Sequence, residues 1–283
     1  MDRIQKALDK AKQRHAQTVV NQPKVIADPK ETINTELKNE STDPLTAPIQ
    51  SIQYSQTKVV NVSNEQLDRK RLIAGFYNNS QSAVFRMLRT QVLKKMRGNN
   101  WQSLAITSPT EGEGKSVIAA NLAIAIAMEL NQTVLLVDMD LRNPSVAKYF
   151  GLDVEIGLKD YLSGDYPLSE VLINPGIKRL VILPGLGRAE DSAELLSSPK
   201  MASLVSDIKS QYDSRVIIFD VPPVLQTDDV LLASNYFDST LLVLEDGKNP
   251  ETNILRVLQM LEGSNLMGTV INKCSRAPEH QNY

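Results

Sequence analysis

Cysteine is almost absent from this chain, aromatic side chains are few, and no long apolar run occurs. The one cysteine, Cys274, excludes an intrachain disulfide and suits a reducing compartment. No stretch approaches the roughly 18–20 apolar residues that a membrane-spanning helix needs, and the N-terminus is polar rather than signal-like. A cytoplasmic protein is therefore expected. Aromatic residues make up 5% of the 283, whereas 42% are hydrophobic. A core drawn from Val, Ile, Leu and Ala suits a parallel sheet with helices on both faces. The length allows one large domain or two small ones.

The net charge of -2 conceals an asymmetry. Residues 1–98 carry 17 Lys and Arg against 9 Asp and Glu, a balance of +8, while residues 99–283 carry 14 against 24, a balance of -10. The basic part suits an anionic membrane surface or an acidic partner face, or else a solvated extension. Within it, Ile4, Ala7, Leu8 and Ala11 fall on one side of a short amphipathic helix over 1–16, with Lys and Arg opposite. Such a helix is suited to docking on a partner; lipid anchoring and an unbound, frayed state are the alternatives. Residues 17–79 show no sustained apolar period and read as a disordered linker. A second helix is expected from Ser80 or Ser82 to Arg97, with Phe85, Leu88, Val92 and Met96 as its apolar stripe beside Arg86 and Arg89. Those arginines are expected to be solvated or to reach a neighbouring subunit.

From Trp101 onward short apolar runs alternate with helical stretches. The runs are Ser103–Thr107, Thr133–Val137, Arg179–Leu183, Arg215–Phe219, Thr240–Leu244 and Gly268–Ile271. That alternation predicts an α/β fold with a doubly wound, mostly parallel sheet over 80–275, followed by a flexible tail over 276–283. Ligands of such sheets sit at the C-terminal strand ends.

After the first run comes Thr107-Ser108-Pro109-Thr110-Glu111-Gly112-Glu113-Gly114-Lys115-Ser116, followed by an apolar helix. Strand, glycine-containing loop and helix make a phosphate-binding context: backbone N–H groups and the helix dipole face an anion. Lys115 would reach the β- and γ-phosphates, and Ser116 would offer its hydroxyl to Mg²⁺. The match to a P-loop is partial, because Pro109 stands at the first glycine position; a solvated lysine after an ordinary glycine turn is the plainer reading. After the second run, Asp138 and Asp140 lie two apart and can share a face at the strand tip, one ordering Mg²⁺ and the other orienting or deprotonating an attacking group. Arg142 could pair with phosphate or with a neighbour's carboxylate. The plainer reading is a polar loop whose Asn143 caps a helix starting at Pro144. Asp220, ending the fourth run ahead of Val221-Pro222-Pro223, has the Walker-B placement, although Asp-x-Pro-Pro is also an ordinary turn.

Together, the loop ending Gly112-Glu113-Gly114-Lys115-Ser116, the stretch Leu135-Leu136-Val137-Asp138-Met139-Asp140-Leu141-Arg142 and the stretch Val216 to Pro223 resemble the bacterial tyrosine kinases of capsule and exopolysaccharide synthesis. Those kinases belong to the ParA/MinD-like P-loop NTPases. Gly157–Gly164 and Ala193–Ser198 are similar to the family as well, and the resemblance runs from about Ser82 to Lys273. It implies ATP held at Gly112, Glu113, Gly114, Lys115, Ser116 and Val117, with Asn272 a candidate for the adenine. It implies catalysis by Lys115, Asp138 and Asp140, Mg²⁺ at Ser116, Asp138 and Asp220, and Tyr283 as a candidate phosphoacceptor.

The resemblance further implies a membrane-embedded polysaccharide co-polymerase as partner, a homo-oligomer, no nucleic acid, and a location at the inner membrane through that partner. The chain departs from the family in three places. Only Tyr283 occurs in the last 46 residues, where the family has a tyrosine cluster; Ala83 replaces a glutamate of the oligomerising helix; and Val221 replaces a threonine. A nucleotide-dependent interaction switch of the same fold that phosphorylates nothing is the alternative function.

Overall fold

The computed structural model describes residues 57–76, 81–210 and 215–274. The expected helix over 1–16, most of the expected linker, and Tyr283 with its tail lie outside these residues. In chain order the elements are β1 (Lys58–Val59), α1 (Asn64–Arg69), α2 (Ser82–Asn99), β2 (Ser103–Thr107), α3 (Lys115–Ala127), β3 (Thr133–Asp138) and α4 (Val146–Phe150). There follow α5 (Leu158–Ser163), α6 (Leu168–Val171), β4 (Ile173–Asn174), β5 (Leu180–Leu183), α7 (Ser192–Leu196), α8 (Pro199–Ser210) and β6 (Arg215–Asp220). The last are α9 (Asp229–Leu232), β7 (Ser239–Glu245), α10 (Glu251–Met260) and β8 (Leu266–Asn272).

The strands form one sheet in the order β1-β4-β5-β3-β6-β2-β7-β8, parallel except where β4 meets β5. All six apolar runs are strands. β2, which feeds the loop, is central, and all five of its residues are buried. The chain winds from β2 through β3 to β5 on one side, then returns to insert β6 between β3 and β2 before passing to β7 and β8 on the other. The crevice outside the C-terminal ends of β2, β3 and β6 is where a ligand of such a sheet belongs. Apolar side chains fill both faces: Leu104, Ile106, Leu136 and Ile218 pack under α3 on one, and Leu135, Val137, Ile217 and Phe219 pack against α8 on the other. Helix α3 is buried nearly all round, and its five alanines allow the close approach that this requires.

The linker expectation fails over 57–76. β1 adds a parallel edge strand to β4, with Lys58 opposite Ile173. α1 follows with a capping box, in which the Ser63 hydroxyl accepts from the Gln66 N–H and the Gln66 side chain accepts from the Ser63 N–H. Leu67, Leu72, Ile73 and Ala74 are buried. This arm is anchored by one side chain on α3: fully buried Asn121 accepts from the N–H groups of Ile73 (2.8 Å) and Ala74 (3.0 Å) and donates to the Arg71 carbonyl (2.9 Å). The arm's contacts are spread over β4, α3 and α4, so it has no period of its own to read.

Helix α2 forms as expected, but its arginines are engaged within the chain. Arg89 pairs with Glu129 at 2.9 Å and donates to the Ala125 carbonyl, and Arg86 donates to the Ser82 hydroxyl at 2.6 Å. Among the described residues no helix is long and apolar enough to cross a membrane.

Candidate active site

The loop between β2 and α3 is held in shape through its carbonyls. Lys248 Nζ donates to the Glu111 carbonyl at 2.6 Å, Lys273 Nζ to that of Gly112 at 2.6 Å, and Asn272 Nδ2 to that of Glu113 at 2.8 Å. With these carbonyls tied outward to the ends of β7 and β8, the N–H groups at the start of α3 are left to face an anion. Gly114 caps α3 at φ +94, and a Cβ there would stand 2.2 Å from Asn272 Nδ2, so only glycine fits.

Glu113, read as a nucleotide contact, turns its fully buried carboxylate the other way. It accepts from Thr110 N–H (2.9 Å) and hydroxyl (2.7 Å), from Glu245 N–H (2.9 Å) and from Asn249 Nδ2 (2.8 Å). Its side chain therefore shapes the loop, and only its backbone remains to face a phosphate. Asn272 likewise braces the loop with the nitrogen of its amide. Val117 sits half-buried one residue beyond Ser116, its carbonyl accepting from Asn121.

Two strands, β3 and β6, bring the carboxylates at and just beyond their C-terminal ends to Lys115. Its ammonium lies 2.8 Å from Asp140 Oδ2 and 3.2 Å from Asp220 Oδ1. Burial would lower the Lys115 pKa, but the charges of Asp220 and Asp140 outweigh it and hold it above the usual lysine range. Asp138 and Asp220 are register partners across β3 and β6. Burial, and after it the charge of Asp220, pushes the Asp138 carboxyl up. Burial does the same to Asp220, against the opposing pull of Lys115.

Asp138 Oδ2 accepts the N–H groups of Ser145 (2.8 Å) and Val146 (2.9 Å) at the start of α4. The cap expected from Asn143 is thus supplied by Asp138, because the chain folds back onto the strand tip. Asn143 instead donates its N–H to Asp140 Oδ1 at 3.0 Å. The Ser145 hydroxyl donates to Ser116 Oγ at 2.9 Å.

Asp138 Oδ1 and Asp220 Oδ2 are buried without a hydrogen-bond partner. Two orphaned carboxylate oxygens from neighbouring strands, close to a serine hydroxyl and to the phosphate loop, fit a divalent cation. Among the described residues no group of three or more His, Cys, Asp or Glu forms an all-protein metal cage. Mg²⁺ needs none, since it keeps water and phosphate oxygens beside one or two carboxylates.

Beside Asp140 opens a cavity of about 700 Å³, walled by Pro144, Pro222 and Pro223 and edged by Glu111, Arg142 and Arg188. Arg142 is held there by buried Asp229, with Nε to Oδ2 at 3.0 Å and Nη2 to Oδ1 at 3.3 Å. Burial would raise the Asp229 carboxyl, but bonds from Arg142, Ser192 and Thr227 hold it below the usual range. Arg142 therefore meets a carboxylate of its own chain, brought to it at the start of α9. Nothing local in the sequence marked Asp229, Ser145, Lys248 or Lys273, because each contributes through a contact that the topology creates.

A family model described as the CobQ/CobB/MinD/ParA nucleotide binding domain matches residues 104–283. The tyrosine-protein kinase YwqD of Bacillus subtilis (strain 168) is 33% identical over 206 residues, covering 71% of this chain and 86% of that protein. The kinase domain of the Escherichia coli tyrosine kinase ETK superposes with a TM-score of 0.67 at 26% identity, over 80% of this chain and 91% of that one. The chimerical protein CapA2B2 superposes with a TM-score of 0.68 at 27% identity, over 77% and 94%.

Proposed function

This chain belongs to the bacterial tyrosine-protein kinases within the CobQ/CobB/MinD/ParA nucleotide-binding class, and from that premise we propose that it is an ATP-dependent protein-tyrosine kinase serving capsule or exopolysaccharide assembly. The observation that carries the reading is the meeting of Asp138, Asp140 and Asp220 with Lys115 beside the phosphate loop. ATP would lie with its phosphates on the loop amides from Gly112 to Ser116, and Lys115 would move from its carboxylates to the β- and γ-phosphates. Ser116, Asp138 and Asp220 would hold Mg²⁺, which neutralises phosphate charge when bound. Asp140, relieved of Lys115, becomes free to accept the proton of an incoming tyrosine hydroxyl. Transfer of this kind rests mainly on positioning and charge, and the buried cluster supplies both.

The fused name of the CapA2B2 chimera supports a CapA-type partner. We assign to such a membrane-embedded co-polymerase the docking of the basic N-terminal part, and we take the kinase domain to be 80–275 extended by the arm at 57–76.

A second reading is favoured by one observation, the single tyrosine within the last 46 residues: an ATP-dependent interaction switch that transfers no phosphate. Intact-mass measurement of the full chain with Mg·ATP separates the two. Phosphate gained by the wild type and absent from Asp138→Asn is expected. An unmodified wild type that still binds ATP, with the partner's cytoplasmic segment supplied, would leave the switch.

A further inference from the structure

If the terminal tail offers one tyrosine, the chain's other tyrosines become the question. Among the described residues, Tyr149, Tyr161 and Tyr236 are each partly buried. The Tyr236 hydroxyl donates to the Leu196 carbonyl at 2.7 Å, and the Tyr161 ring carries Lys200 at 4.8 Å. Tyr166 differs from them, being 44% exposed. It lies in the short loop from Gly164 to Pro167 between α5 and α6, and the backbone is extended at both of those ends. Asp165 precedes it and Glu170 follows, both exposed.

The cavity beside Asp140 has the matching character. Pro144, Pro222 and Pro223 give flat apolar walls for a phenol ring, and Arg142 and Arg188 give a cationic edge. Arg188 is 68% exposed and paired with Glu190, itself 80% exposed. An ion pair so open to solvent is worth little, so Arg188 is readily taken by another carboxylate. Tyr166 is not among the residues lining this cavity within its own chain, so a second copy would have to deliver it.

We propose that Tyr166 is a phosphoacceptor, presented by one copy of this chain to the proline-walled cavity of another, with Asp165 meeting Arg188. The proposal rests on the kinase reading above. The Tyr166 hydroxyl oxygen bonds to the γ-phosphorus of ATP while the bond to the β,γ-bridging oxygen breaks. ADP leaves with that electron pair, and the phenolic proton passes to Asp140. The product is a dianionic phosphotyrosine flanked in its own chain by Asp165 and Glu170.

The test mixes two full-length proteins with Mg·ATP and maps phosphate by tandem mass spectrometry. The donor carries Tyr166→Phe and a heavy-nitrogen label. The acceptor carries Asp138→Asn, so any phosphate on it arrives in trans. Phosphate on Tyr166 of the acceptor is expected. It should fall about tenfold when the donor also carries Arg188→Glu, and recover when the acceptor carries Asp165→Lys, because like charges at a contact select against it. Phosphate confined to other tyrosines, or indifferent to the charge exchange, overturns this proposal and leaves the kinase reading standing. Phosphate on no residue, with ATP binding intact, overturns the kinase reading and this proposal with it.

Discussion

Asp138 is a fully buried carboxyl set opposite a second one, Asp220. Burial and Asp220 push its carboxyl up to about 7, whereas in the unfolded chain an aspartate titrates near 3.9. Between those values the folded state holds a proton that the unfolded state has lost, so stability falls as pH rises through that window. Above it the full cost of a buried, ionised Asp138 is present. Asp138→Asn removes the charge and keeps an acceptor for the Ser145 and Val146 N–H groups. The nucleotide-free variant should therefore melt several degrees above wild type at about pH 8 and close to it at about pH 4, as measured by calorimetry. A variant no more stable than wild type at the higher pH would mean that Asp138 is not ionised there. The glycines of the loop divide in a similar way. Gly114→Ala meets both a positive φ and the Asn272 amide, whereas Gly112→Ala meets positive φ with only Lys248 Nζ 3.8 Å away. Backbone strain alone costs roughly 1–3 kcal/mol, so both lower the urea midpoint, and Gly114→Ala must lower it further.

At the scale of elements, Asn121 is the test of the arm at 57–76. Asn121→Ala leaves the Ile73 and Ala74 N–H groups buried without an acceptor, at roughly 1–3 kcal/mol each. Hydrogen exchange at Ile73 and Ala74 should accelerate far more than exchange along β2; equal protection in both proteins would show the arm to be held by packing alone. The same arm marks where reading the sequence stops. β2, β3, β6 and β7 could be read because a strand buried on both faces is a continuous apolar run. Loop and carboxylates could be read because their chemistry demands particular residues at strand ends. β1 and β4 have only two residues each, too few for any period, and Asn121 looks like any other polar residue on a helix until Ile73 and Ala74 are folded against it. The place of Glu113 in the motif points to nucleotide, which its backbone can still face, but says nothing of what its side chain holds. Two of that carboxylate's donors, the Glu245 N–H and Asn249, lie more than 130 residues away.

Across the whole molecule, the order of strands decides the electrostatics. Inserting β6 between β3 and β2 sets Asp220 opposite Asp138, so a part of the chain with a balance of -10 concentrates its negative charge where a polyanion is to bind. Lys115 answers only part of that charge, and it is already engaged by Asp140 and Asp220. Free ATP would draw Lys115 off and leave two carboxylates facing phosphate across a few ångströms of low-dielectric interior. Mg²⁺ held as proposed would remove that repulsion by giving Asp138 Oδ1 and Asp220 Oδ2 the partner they lack. Titration calorimetry should thus find ATP bound at least about tenfold more weakly in EDTA than with Mg²⁺, a factor that corresponds to ~1.4 kcal/mol. Asp220→Asn should narrow the gap by relieving the repulsion and weakening the metal together. Equal affinities with and without Mg²⁺ in the wild type would mean that the phosphates bind away from the carboxylates, and the site would then be a phosphate loop without a metal centre.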